Sequence, residues 1–61
     1  MITRVVGSKK REQSGDFICE YYGPSRDTKP LYADGARNAD IFMEIDTKEM
    51  LMFDEENNAW V

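Results

Sequence analysis

The chain has 61 residues, 41% of them hydrophobic and 33% charged, with a net charge of −4. It is long enough for one domain, which at this size hides only roughly 60% of the surface its unfolded chain exposes. A single cysteine, Cys19, excludes an internal disulfide, and one Cys without any histidine argues against a structural zinc site. Of the usual supports of a very small fold, association with other chains is the one left.

Ile2 to Val6 is a short β-prone run ended by Gly7. Residues 8 to 16 are polar and close on Ser14-Gly15-Asp16, which predicts a loop. Phe17 to Tyr22 is a second strand, ended by Gly23-Pro24, with Cys19 as a small core residue. Residues 23 to 39 hold both prolines and several turn formers. They read as a long irregular loop anchored in the core by Leu31 and Tyr32. A connection of that length inside a compact domain is unusual unless it has a role.

Asp40 to Asp46 and Met50 to Asp54 are rich in strand formers, and the polar link Thr47-Lys48-Glu49 suits a hairpin. Asp46 can begin the turn with its own side chain, and either Lys48 or Glu49 accepts positive φ at some cost or the turn is of another type. Alternation sends Ile41, Met43 and Ile45 one way and Phe42 and Glu44 the other, with Met50 and Met52 opposed to Leu51 and Phe53. A hairpin apolar on both faces is covered on both sides or sits in an interface. After the polar turn residues 54–58, Ala59-Trp60-Val61 pairs back as a third strand, an expected edge, with Trp60 beside Phe53. The expected fold is therefore all-β: a small antiparallel sheet with a C-terminal three-stranded meander and a long irregular central loop.

Charge is uneven. Residues 1–37 carry a net +2 and residues 38–61 a net −6. The acidic half should repel nucleic acid and anionic lipid. Lys9-Lys10-Arg11 reads as a solvated turn. Asp40, Glu44, Asp46, Asp54, Glu55 and Glu56 read as a solvated acidic face, since a chain this small has little material for a catalytic cleft. There is no histidine to serve a nucleophile and no phosphate-binding glycine loop. The expectation is a non-enzyme with no catalytic residue, no cofactor and no metal. No apolar run approaches the roughly 20 residues of a membrane span, and no apolar segment follows Met1–Val6 as in a secretory leader. No membrane partner is expected.

Asp27-Thr28-Lys29-Pro30, a Gly-containing loop, Asp40-Ile-Phe-Met-Glu-Ile-Asp-Thr47, Met50-Leu-Met-Phe-Asp-Glu-Glu-Asn57 and Trp60-Val61 follow one another in that order. This series resembles a pattern in small proteins of tailed phages and prophages. There a loop with DTKP precedes a strand ending E-x-D-T-G-K, then a strand like x-Y-M-Y/F-D-E-E-N and a closing Trp. The resemblance covers residues 26 to 61 and departs at Lys48-Glu49, which replaces Gly-Lys and so touches the turn rather than the hairpin. Genes of such proteins tend to lie among head and tail structural genes. The resemblance implies a virion-associated or assembly-associated β module, made in the host cytoplasm, and supplies no catalytic residue.

The leading expectation is a phage structural or assembly protein acting by oligomerisation or by docking on capsid, neck or tail proteins, without nucleic acid. Its expected contact residues are Phe42, Met43, Met50, Met52, Phe53 and Trp60, with Tyr21, Tyr22, Leu31 and Tyr32 from the first half. Aromatic residues and Met are enriched where proteins meet. The alternative is a small acidic inhibitor of a host nucleic-acid-binding protein, whose net −6 half would mimic DNA phosphates.

Overall fold

The computed structural model describes residues 1–12 and 14–61; Gln13, within the polar segment read as a loop, lies outside the described residues. Five strands form one sheet in chain order: β1 (Thr3–Lys10), β2 (Phe17–Gly23), β3 (Ile41–Glu44), β4 (Met50–Asp54) and β5 (Ala59–Trp60). The all-β class holds, and β3, β4 and β5 form the C-terminal meander.

The sheet is mixed rather than antiparallel throughout. β1–β2, β3–β4 and β4–β5 are antiparallel, but β2 and β3 run parallel, with Tyr21 beside Phe42. Parallel neighbours need a crossover that returns the chain to its starting end. Residues 24–40 make that crossover, which explains their length. They carry one 3₁₀ turn, Tyr32–Asp34, closed by Gly35 at φ 104°, a left-handed value that glycine adopts without a Cβ clash.

β1 is longer than the sequence implied. It does not stop at Gly7 but runs on to Lys10, with a register shift between Val6 and Lys10. A Cβ on Gly7 would sit 2.6 Å from the Ile18 carbonyl oxygen, so glycine allows the strands to stay together across the irregularity. β3 is shorter than expected. It ends at Glu44, and Ile45 is exposed. The link therefore begins at Ile45, and the Lys48 N–H donates to the Glu44 carbonyl at 2.8 Å. Lys48 does take positive φ, at 66°. Asp46 does not start the turn. Its carboxylate accepts from the Ser25 N–H at 2.9 Å and the Ser25 hydroxyl at 2.6 Å, tying the hairpin to the crossover.

The core lies between the sheet and the crossover. Cys19, Tyr21, Phe42 and Phe53 are buried on one face of the sheet. Trp60 reaches over them from β5, edge-on to Tyr21, Phe42 and Phe53 with ring centroids 5.7, 5.7 and 5.1 Å away. Its indole N–H donates to the Pro30 carbonyl at 2.7 Å, so the ring is pinned from the crossover side. Lys29 lies over the Phe42 ring at 4.9 Å and pairs with Glu44 at 2.9 Å. Leu31 and Tyr32 are not the anchors. Both are exposed, and Ala36, fully buried, takes that place.

Two further expectations about charge are corrected. Asp40 is not solvated: it is 0% exposed. One carboxylate oxygen accepts from the Cys19 N–H at 2.9 Å and from Arg11 at 2.9 Å, and the other accepts from the Arg37 N–H at 3.1 Å. Its own carbonyl accepts from the Phe53 N–H. Arg11, in turn, is no solvated-turn residue. Its side chain is largely buried between Asp16 and Asp40 and also donates to the Phe17 and Asn38 carbonyls. This pair binds the tip of the β1–β2 hairpin to the end of the crossover.

Candidate functional site

Among the described residues, the second face of the sheet carries no layer. Strand registers align its side chains into two rows. Val5, Glu20, Ile41 and Met52 lie side by side across β1 to β4. Val61 extends this row beyond β4, because it exchanges both backbone hydrogen bonds with Met52, at 3.0 and 2.9 Å. Thr3, Tyr22, Met43 and Met50 form the adjacent row. The two rows alternate with the core residues along β2, β3 and β4, as pleated geometry requires, while on β1 the alternating residues Arg4 and Val6 are exposed.

This face is apolar and open. Met50 is 60% exposed, Met52 51%, Val5 43% and Val61 69%. Ile41, Met43 and Tyr22 are half-buried by their neighbours within the sheet. Glu20 is the one ionisable carboxylate in the rows. It accepts from the Tyr22 phenol at 2.8 Å, and that bond to a carboxylate pushes the Tyr22 hydroxyl above its usual range. A small domain seldom leaves a continuous apolar patch across a whole sheet, which makes this face the candidate contact surface.

The ten residues expected to make contacts are thus divided by the fold. Tyr21, Phe42 and Phe53 are buried in the chain's own core, with Trp60 half-buried above them. Tyr22, Met43, Met50 and Met52 stand together on the open face. Leu31 and Tyr32 lie apart from both, on the outside of the crossover. Val5, Glu20, Ile41 and Val61 join the open face without having been singled out. The alternation of Ile41 with Phe42 was a usable signal for one of them. For Val5, Glu20 and Val61 the signal is the strand register, which is not written in any one segment.

A concavity of about 520 Å³ lies between the hairpin tip and the crossover, lined by Arg11, Asp16, Tyr32, Arg37, Asn38 and Glu55 among others. Several of its groups are engaged with one another. The Arg37 guanidinium stacks on Tyr32 at 3.8 Å and donates to the Tyr32 and Ala36 carbonyls. Asn38 and Glu55 exchange backbone-to-side-chain bonds at 2.8 and 2.7 Å. These bonds close the crossover against the β4–β5 turn, and the lining carries both signs of charge. It is a structural joint.

Comparison with known protein families, with curated proteins and with solved structures gives no match.

Proposed function

We propose that this chain is a virion-associated structural or assembly module of a tailed phage, which acts by oligomerisation or by docking on capsid, neck or tail proteins, with the uncovered face of its sheet as the contact surface. The observation that carries the reading is the apolar row Val5, Ile41, Met52 and Val61, interrupted only by Glu20, spanning the full width of a five-stranded sheet. One face of the sheet packs on the crossover and the other has nothing on it among the described residues. The resemblance of residues 26–61 to small phage proteins supplies the setting, and the docking face supplies the means. Burying the second face gives each subunit apolar contacts it cannot make alone, so its stability becomes linked to its partner's concentration.

The test is mass spectrometry of purified particles made by the host that carries the gene. The wild-type chain should copurify with particles. A Met50→Glu, Met52→Glu variant should keep its melting curve, since surface positions change stability by only about 0.5 kcal/mol, and should be lost from the particles. Particles that lack the wild-type chain, or that retain the variant, would overturn the reading.

A further inference from the structure

We infer that the occupant of the open face is a second copy of this chain, packed face to face about a two-fold axis that runs parallel to the strands, over β3 and midway between the two sheets. The inference rests on the reading of that face as the contact surface and names what covers it.

Size is the first argument. Five strands at about 4.8 Å spacing are roughly 20–24 Å wide, and two rows of side chains cover about 15 Å along them. With side-chain relief that is roughly 500 Å² of accessible surface per copy, or roughly 1,000 Å² for a pair, the lower limit of a specific interface. Two sheets packed in this way stand about 10 Å apart, with strands aligned to within about 30°. The small area implies a weak dimer, with dissociation in the micromolar range or above.

Self-complementarity is the second. The two-fold axis exchanges β1 with β5 and β2 with β4 and leaves β3 facing itself. Val5 then meets Val61 of the other copy, Tyr22 meets Met50, Ile41 meets Ile41 and Met43 meets Met43. Glu20 falls opposite Met52, so the two carboxylates do not face each other. Every apolar residue named here except Met52 finds an apolar partner, and the flexible Met side chains can fill the gaps between flat surfaces.

Glu20 gives the arrangement a signature. Opposite Met52 its carboxylate loses water and gains no cation, keeping only the bond from Tyr22. An ion taken from water without a counter-charge opposes association. Glu20→Gln should therefore tighten the dimer, by roughly tenfold. A foreign partner chosen to match this face would bring a cation to Glu20, and the same substitution would then weaken binding.

Sedimentation equilibrium from micromolar to millimolar concentration tests this on the full chain, with four proteins. The wild type should show a monomer–dimer equilibrium, and Glu20→Gln should shift it toward dimer. Met52→Glu should be monomeric, because each new carboxylate faces Glu20 of the other copy. Met52→Lys, which puts an ammonium there instead, should associate at least as well as the wild type. A wild type that stays monomeric, a Glu20→Gln variant that dissociates more readily, or a Met52→Glu variant that still pairs would each overturn the inference. The particle experiment separates this from failure of the docking reading. A monomeric chain whose Met50→Glu, Met52→Glu variant is nonetheless lost from particles uses the face on another protein. A chain insensitive in both assays does not use it.

Discussion

Truncating Trp60 to Ala should remove most of the stability of this domain. The indole makes three edge-to-face contacts, with Tyr21, Phe42 and Phe53, at 5.1–5.7 Å. Such pairs contribute about 0.5–1.5 kcal/mol each beyond area burial. The bond from its N–H to the Pro30 carbonyl at 2.7 Å adds about 1 kcal/mol. Aromatic-to-Ala truncations in cores cost about 3–5 kcal/mol, and the half-buried state of Trp60 places it toward the lower end. At about 0.05–0.15 kcal/mol per residue, a domain of this length has roughly 3–9 kcal/mol in all. Urea and thermal unfolding followed by far-UV circular dichroism should therefore show Trp60→Ala largely unfolded, or melting about 12 °C or more below wild type. Trp60→Phe keeps an apolar ring but loses the donor to Pro30, and should cost about 1–2 kcal/mol. The reasoning would be refuted by a Trp60→Ala protein within about 0.5 kcal/mol of wild type. It would also fail if Trp60→Phe cost as much as Trp60→Ala, since the ring contacts would then carry no weight.

Two further outcomes are expected. Asp40→Asn leaves Arg11 beside a neutral group in a largely buried site and turns an amide toward the Arg37 N–H, so it should cost about 3–5 kcal/mol in the same urea assay. A variant as stable as wild type would mean that Asp40 holds the joint by shape alone. Stability should also depend on acid. Asp16 is held below the ordinary aspartate value of 3.8 by hydrogen bonds from Ser14 and Arg11, and Asp46 by bonds from the Ser25 hydroxyl and N–H. Glu44 is held below the ordinary glutamate value of 4.5 by bonds from Lys29 and Thr47. A carboxylate whose folded value lies below its unfolded one contributes its full stabilisation above the unfolded value and loses it as pH falls through the folded one. The melting temperature should thus start to fall near pH 4.5 and go on falling below pH 3.8, and a flat profile across that window would refute these assignments.

Much of the fold is local and was therefore legible in the residues themselves. β-prone runs bounded by turn residues predict the β3–β4 hairpin and its return through Ala59 and Trp60, because antiparallel neighbours are joined by short links and pair in a register set by the turn. The partition of Ile41 and Met43 from Phe42, and of Met50 and Met52 from Leu51 and Phe53, follows from the period of two along a strand. The pairing of Phe53 with Trp60 follows from the same two facts.

Alternation says which residues share a face, but not which face is covered. That was decided by the crossover, whose course depends on contacts made far along the chain: Ser25 with Asp46, Lys29 with Glu44, Pro30 with Trp60, and Asp40 with Arg11. Those contacts bring residues 24–40 across one side of the sheet and make β3 parallel to β2. They bury Asp40, an acidic residue that in isolation looks solvated, and they leave Leu31 and Tyr32 outside although both look like core. They leave Met50 and Met52 on the open side, which also carries Val5 and Val61 from opposite edges of the sheet. Local residue patterns thus set the strands and their two-sided character. Which side becomes core and which stays open follows from the assembled fold, because that choice depends on where a long connection lands rather than on any single segment.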